Sequence, residues 1–322
     1  MNFSNYNKEQ YINLCKEEKS LSFFSRNWWL DSVCGEDNWN VVIIKKDNVI
    51  IGAMPYYKRS RMGMKIISQP PLTPFLGPWI RPLKAKYCNQ LAYQKEVLSQ
   101  IIHNLPNYDH FIQNFHYDIK NFLPFYWNNF NQKTFYTYTL EDLSNLDVVF
   151  SNFRENIKTD IRKASNRFSL HVRTDLTIDD FLVLNHKTFQ RQQKSPPYDD
   201  EFIKKLDQAC QKQECRKIFI AEDDQGRHHA GVYIVWDENS AYYLMGGGDP
   251  NLRTSGATSL CMWEAICYAS KVTKKFDFEG SMIEPVERFF RSFGALQTPY
   301  FQISKTPSKL LRIGNFLREL KC

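Results

Sequence analysis

The sequence predicts an α/β protein, of α+β character with mixed sheets, folded as two domains. Three observations lead there. The chain has 322 residues, enough for two domains at the usual ~150 residues each. Its second half passes from strand to helix patterns in a readable order, β-α-α-β-β-β-α-β-α-β, and its first half is a fainter version of the same plan. Hydrophobic residues make up 43% of the chain and aromatics 15%, which supplies apolar material for two cores.

In chain order, apolar residues at helical spacing predict helices over 8–19 and 23–33. A hairpin follows, with strands over 39–46 and 49–57 and a turn at Asp47-Asn48, a dipeptide suited to tight turns. Next come a helix over 86–103 and strands over 110–115 and 134–140. A polar junction at 141–146 leads to a long helix over 147–167. The second half opens with a strand over 169–174. Two helices follow, one over 178–193 (Phe181, Leu184, Phe189) and one over 199–214 (Phe202, Leu206, Ala209, Cys210). Strands over 216–222 and 229–236 flank a turn at Asp223–Gly226, and 241–245 is a third strand. A helix over 256–270, a strand over 275–279 and a helix over 284–293 succeed one another. The last of these stops at Gly294, which suits a left-handed cap. A strand over 299–304 closes the order. The expected domains are 1–145 and 146–305, with a C-terminal helix in 306–322 packing back on the first. No residue-level repeat links the halves.

Composition narrows the function classes. No run approaches the ~20 apolar residues of a membrane helix, and 1–18 lacks the basic-then-apolar order of a signal peptide. Eight cysteines (15, 34, 88, 210, 215, 261, 267, 322) show no C-x-x-C pair, as expected of reduced thiols in a cytoplasmic protein. The seven histidines have no metal-ligand spacing. His228-His229, beside a turn, is expected to be exposed, and no Ser/His/Asp triad can be assigned. A net charge of +7 is mild. It suits phosphate-bearing ligands and does not point to DNA.

Four features carry candidate chemistry. Met245-Gly246-Gly247-Gly248 ends a strand, and Arg253-Thr254-Ser255-Gly256-Ala257 opens a helix within a dozen residues. Free N–H groups at a helix N-terminus favour a pyrophosphate. Gly256 would admit close backbone approach, Ser255 would cap the helix and Arg253 would add a charged donor. In Phe276-Asp277-Phe278-Glu279, strand period two puts Asp277 and Glu279 on one face. Their repulsion would raise one pKa toward that of a general base; the competing reading pairs them with Arg288 or Arg291. Arg154, Lys158 and Arg162 lie four apart along one helix face, a basic ridge for a phosphate-bearing ligand or a solvated surface. Arg191 and Tyr198 sit in the connection between the first two helices of the second domain.

The runs YYLMGGGDPNLRTSGATSLCMWEAI, FDFEGSMIEPVERFFRSFGA and NIKTDIRKASNR resemble the Fem-like branch of the GNAT superfamily, which includes BioF2-like acetyltransferase domains and Fem-type peptidoglycan aminoacyltransferases. The resemblance is specific over 156–301 and vague before it. It implies tandem GNAT-like domains, a C-terminal helix over 308–320 and an acyl donor at 253–257, with Met245 and Gly247 beside it. It also implies an acceptor cleft near Lys158, Arg162 and Tyr198. The Phe-Lys-x-x-Phe pattern common in Fem-type ligases is Phe290-Arg291-Ser292-Phe293 here. Arg291 cannot shuttle protons at neutral pH and would hold charge against the acceptor instead.

Three readings follow. One is an acyltransferase moving an acyl group from acetyl-CoA or another acyl-CoA to an amine, as on a nucleotide- or lipid-linked amino sugar of the cell envelope, with peripheral membrane contact. A second is an aminoacyl-tRNA-dependent transferase acting on a peptidoglycan precursor. A third is a binding module without chemistry. The Gly-rich loop, and the lack of the helical-hairpin arm found in some Fem-type members, favour the first.

Overall fold

The computed structural model describes residues 3–312. Its elements, in chain order, begin with α1 (Phe3–Glu17), a 3-10 turn at Phe23–Ser25 and α2 (Asn27–Cys34). Strands β1 (Trp39–Lys46), β2 (Val49–Arg61), β3 (Met64–Ser68) and β4 (Trp79–Ile80) precede α3 (Tyr87–His103). Then come β5 (His110–Asn114), α4 (Leu123–Trp127), β6 (Asn131–Leu140), α5 (Leu146–Ser151), α6 (Glu155–Phe168) and β7 (His171–Arg173). Helices α7 (Ile178–Arg191) and α8 (Asp200–Lys212) lead to β8 (Arg216–Glu222), β9 (His228–Trp236) and β10 (Ala241–Gly248). The chain closes through α9 (Ala257–Ala269), β11 (Phe276–Asp277), α10 (Glu284–Arg291) and β12 (Leu296–Lys305). The chain divides into unit 1, residues 1–135 and 299–322, and unit 2, residues 136–298. The helix expected over 308–320 falls mostly outside the described residues.

Unit 1 carries the strand order β1-β2-β3-β5-β12, with β4 on β2. β1, β2 and β3 form an antiparallel meander. Both of its turns put two consecutive residues in the left-handed region, Asp47 (φ 48°) and Asn48 (φ 64°) in the first, Met62 (φ 52°) and Gly63 (φ 75°) in the second. That twist matches the right-handed twist of the strands. The core beneath holds Val97, Leu98 and Ile101 of α3 against Met54, Ile67, Phe111, Phe115 and Phe125.

Unit 2 carries the order β6-β11-β10-β9-β8-β7. β7, β8, β9 and β10 pair antiparallel, and β11 is parallel to β10. A parallel neighbour demands a crossover, and α9 is that crossover. Residues all round α9 are buried, Leu260, Cys261, Met262, Ala265 and Ile266 among them, as befits a helix inside a core. α6 shows the opposite pattern, a single apolar stripe of Ile157, Ile161 and Ala164. The continuous helix expected over 147–167 is broken. Asn145 caps α5 by accepting from the Asp147 and Val148 amides. The chain then turns to drive Phe153 into the core against Trp263 and Phe293. The Arg154 amide bonds the Ser292 carbonyl as α6 begins.

Candidate functional site

The sheet of unit 2 opens between its two parallel strands. β10 and β11 stay paired for two residues only, Ala241↔Phe276 and Tyr242↔Asp277. Beyond that point β10 shifts register between Tyr243 and Met245 and runs on with β9 to Gly248. The chain leaving β11 turns away, with Glu279 and Gly280 both left-handed (φ 57° and 63°). The expected strand over 275–279 is therefore shorter, and Asp277 and Glu279 do not alternate along a common strand face. The parting lies at the C-terminal ends of parallel strands, where open α/β sheets hold ligands. It also lies at the end from which α9 departs.

The two carboxylates have different surroundings. Asp277 is wholly buried, and its Oδ1 accepts from the Thr137 hydroxyl and, at 2.8 Å, from the Glu279 amide. That second bond closes the turn. The competing pairing with arginine does not form, since Arg288 pairs with Glu284 and Arg291 with Glu287. Glu279 as a residue is half-buried, yet its Oε1 is shut off from solvent with no hydrogen-bond partner. Burial, and after it the charge of Asp277, push the Glu279 carboxyl well above the usual carboxylate range. Beside it stands Tyr243. Burial and the nearby Glu279 raise its phenol above its ordinary value, and its hydroxyl occupies the space a side chain at Gly246 would need. Periodicity gave no hint of Tyr243, because the register shift between Tyr243 and Met245 has no sequence signature.

α7 closes over the glycines of β10. Asn185 Nδ2 donates to the Gly246 carbonyl at 2.8 Å, Thr188 Oγ1 accepts from the Gly248 amide at 2.9 Å, and Lys187 Nζ meets Asp249 Oδ2 at 2.6 Å. Lys187 holds the Asp249 carboxyl below the usual range. A Cβ on Gly247 would sit 2.5 Å from the backbone of Leu184 and Asn185, so Gly247 is required by helix–strand contact. Met245, on the same stretch, is half-buried.

The loop before α9 is built differently from the sequence expectation. Arg253 and Thr254 are exposed and Ser255, Gly256 and Ala257 buried. Gly256 is the N-cap residue, left-handed at φ 83°, and a Cβ there would overlap the Asp160 carbonyl of α6. Its smallness thus serves the packing of α6 on the loop. Ser255 stands one residue before the N-cap, yet its Oγ accepts from the Ala257 amide at 3.4 Å, and it also joins a buried chain. His229 Nδ1 lies 3.0 Å from Ser255 Oγ and His229 Nε2 lies 3.1 Å from Asp223 Oδ2. The expectation that His229 is exposed fails, as only 2% of its surface is. Its ring lies beside Phe168, with centroids 6.5 Å apart, and both of its nitrogens have partners in the interior. Burial pushes the Asp223 carboxyl up, and hydrogen bonds from Arg227 and His229 override it, leaving it well below the usual range. The chain joins residues 26 and 6 apart in sequence, a separation that hides it from any motif. It ties the β8–β9 turn to the loop before α9.

The remaining expected residues are spread along the surface. Lys158 Nζ donates to the Ser151 carbonyl at 2.7 Å, and Arg162 pairs with Glu155 at 2.8 Å. Arg191 is exposed at the end of α7, and Tyr198 stacks on Phe202 with centroids 5.5 Å apart. Arg291 Nε donates to Glu287 Oε1, which also accepts from the Tyr138 hydroxyl. The structure thus brings Tyr243, Met245, Asp277 and Glu279 to one parting of the sheet and engages Lys158, Arg162 and Arg291 with local acceptors. Among the described residues no cluster of His, Cys, Asp and Glu is arranged to hold a metal.

Residues 151–282, which contain this parting, match the family described as the Acetyltransferase (GNAT) domain. The chain carries a GNAT-type acetyltransferase domain in that segment. Over nearly its whole length it has the fold of tandem GNAT proteins. It is similar to the crystal structure of FemX, with a TM-score of 0.67 and 12% identity over 94% of this chain and 96% of that one. It is similar also to L-PGS from Bacillus licheniformis, with a TM-score of 0.53 and 10% identity over 97% and 96%. A tandem GNAT protein from the clavulanic acid biosynthesis pathway gives 0.51 and 9% over 94% and 95%. No curated protein matches the sequence. No helix among the described residues is long and apolar enough to cross a membrane.

Proposed function

We propose that the parting between β10 and β11 is an N-acyl-transfer site that takes its acyl group from acetyl-CoA or another acyl-CoA and passes it to an amine. The observation that carries this reading is the Glu279 carboxylate, a buried oxygen without a donor, at the mouth of two diverging parallel strands. An unpaired buried polar atom costs roughly 1–3 kcal/mol, a cost that a bound amine would relieve.

The amine nitrogen attacks the thioester carbonyl, its C–N bond forms, and the C–S bond breaks. Glu279 takes the proton the nitrogen sheds. Its raised affinity for protons makes it an effective acceptor at neutral pH once it is ionised. Tyr243 keeps its own proton over the working pH range and can hand it to the departing thiolate. The N-terminal turn of α9, with Arg253 and Thr254 exposed beside it, faces the donor's phosphates. Asp277 acts through Glu279, fixing the turn by accepting from its amide. Tyr198 and Arg191 border the acceptor side, and the amine belongs to a small molecule or to a lipid- or nucleotide-linked amino sugar.

The test is a thermal-stability titration of the purified protein with acetyl-CoA, with bulk aminoacyl-tRNA in parallel. Ligand at about a hundred times its Kd stabilises by about 2.7 kcal/mol, a readable shift in Tm. A shift with acetyl-CoA that shrinks in Arg253→Ala, an exposed position whose change leaves the fold intact, supports the reading. A shift with aminoacyl-tRNA alone assigns the donor to the other class.

A further inference from the structure

The charge of the chain is unevenly placed. Residues 49–107 hold eight Lys or Arg and one acidic residue, Glu96, while the remaining 34 basic and 34 acidic residues cancel. The whole net charge of +7 therefore equals that of a segment of unit 1. Its densest part is the β2–β3 hairpin, where Lys58, Arg59, Arg61 and Lys65 are all exposed. The hairpin contains no Asp or Glu. None of the four cations forms an ion pair among the described residues. Asp109, which approaches the hairpin, accepts from the Lys65 backbone amide at 2.8 Å.

The tip of this hairpin is Met62, 89% exposed, in a left-handed conformation that costs an ordinary side chain. The neighbouring β1–β2 turn shows what turn chemistry alone selects, Asp47-Asn48 in the same conformations. Met62 satisfies neither the turn nor a core. Cross-strand pairing adds to its apolar character. Arg59 lies opposite Ile66 and Arg61 opposite Met64, so two guanidiniums share a face with two half-buried apolar side chains. Lys58 and Lys65 take the other face by alternation. An apolar point ringed by unpaired cations matches the boundary of an anionic bilayer, where a thioether can enter the acyl layer while guanidiniums and ammoniums stay among the headgroups. The half-buried Tyr57 ring lies under the Arg59 guanidinium, 6.0 Å from centroid to carbon, so the hairpin offers no open ring on which unpaired bases stack.

We infer that the β2–β3 hairpin is a membrane-contact arm that docks the protein on anionic lipid through Met62, Arg59, Arg61, Lys58 and Lys65. This inference stands apart from the acyl-transfer site, which lies in unit 2.

The full-length protein is floated with vesicles of phosphatidylcholine alone and with about 30% phosphatidylserine. Binding is expected only to the anionic vesicles and should fall as salt rises past the screening range. Each cation near such a surface contributes about fivefold, so the Arg59→Gln/Arg61→Gln pair should lose on the order of 25-fold in partitioning. Met62→Asn, which suits the left-handed turn at least as well, should fold normally and lose about tenfold. Unchanged vesicle binding in either variant overturns the inference. Loss in the arginine variant with Met62→Asn intact, or binding of bulk tRNA in place of vesicles, also overturns it, in favour of a plain polyanion site.

Discussion

The two units bury very different groups. In unit 1 the buried polar residues, Ser25, Asn40, Ser68, Thr73 and Gln113, are all neutral. In unit 2 they include Asp207, Asp223, His229 and Asp277, with the Glu279 oxygen beside them. Withdrawing a charge from water is expensive unless it is paired or neutralised. This difference is one reason the proposed site is placed in unit 2, since buried charge collects at functional sites as well as in structural pairs. Asp207 and Asp223 are paired, Asp207 with Arg216 and the Tyr233 hydroxyl, Asp223 with His229 and Arg227. Glu279 Oε1 has no such partner. Unit 1 instead keeps its charge outside, on the β2–β3 hairpin.

The largest effect should come from Gly256→Ala. Its left-handed backbone alone costs about 1–3 kcal/mol once a Cβ is present, and overlap with the Asp160 carbonyl adds to that. Urea denaturation should show a lower midpoint with unchanged slope; a wild-type midpoint would mean α6 does not rest on the loop. Next is Asp277→Asn. It leaves an acceptor for Thr137 and the Glu279 amide, so the fold should survive, while removal of its charge eases ionisation of Glu279. The pH–rate profile should then shift to lower pH, and an unmoved profile would separate the two carboxylates. His229→Phe severs the tie between the β8–β9 turn and the loop before α9, where we propose the donor binds. Loss of one buried hydrogen-bonded link costs about 1–3 kcal/mol, so donor affinity by calorimetry should fall roughly tenfold, and equal affinity would leave the tie structural. Lys158→Ala should do least. Its exposed bond to the Ser151 carbonyl carries less than about 1 kcal/mol, and a large rise in acceptor KM would instead restore the ridge to the site.

What the sequence revealed follows from locality. The Asp47-Asn48 turn and the apolar runs of β8 and β9 depend on neighbours in the chain, and they read correctly; Gly294 is left-handed as expected, though α10 already ends at Arg291. Elements set by distant packing did not. The break before Phe153 depends on Trp263 and Phe293. β3 and β4 are short and carry little pattern, and β11 is cut to two residues because Glu279 turns left-handed. The site divides the same way. Glycines and carboxylates announce themselves by type, and Asp277 and Glu279 were visible for that reason. Tyr243 looks like an ordinary strand aromatic, and the Asp223–His229–Ser255 chain exists only once β8, β9 and the loop before α9 are assembled.

The central claim is that Glu279 is the proton acceptor of the site. Its carboxyl binds protons more tightly in the folded chain than in the unfolded one. Folding is therefore favoured by low pH on this account, and the ionised form that accepts a proton accumulates only as pH rises. The decisive measurement is thiol release from acetyl-CoA, with a panel of amines, by wild-type protein and Glu279→Gln across the neutral-to-alkaline range. Wild-type kcat should climb with pH as one group ionises. Glu279→Gln should keep donor affinity, lose at least about tenfold in kcat near pH 7 and close that gap at alkaline pH, where the amine deprotonates unaided. A Glu279→Gln protein with wild-type kcat and an unaltered pH profile would contradict the account.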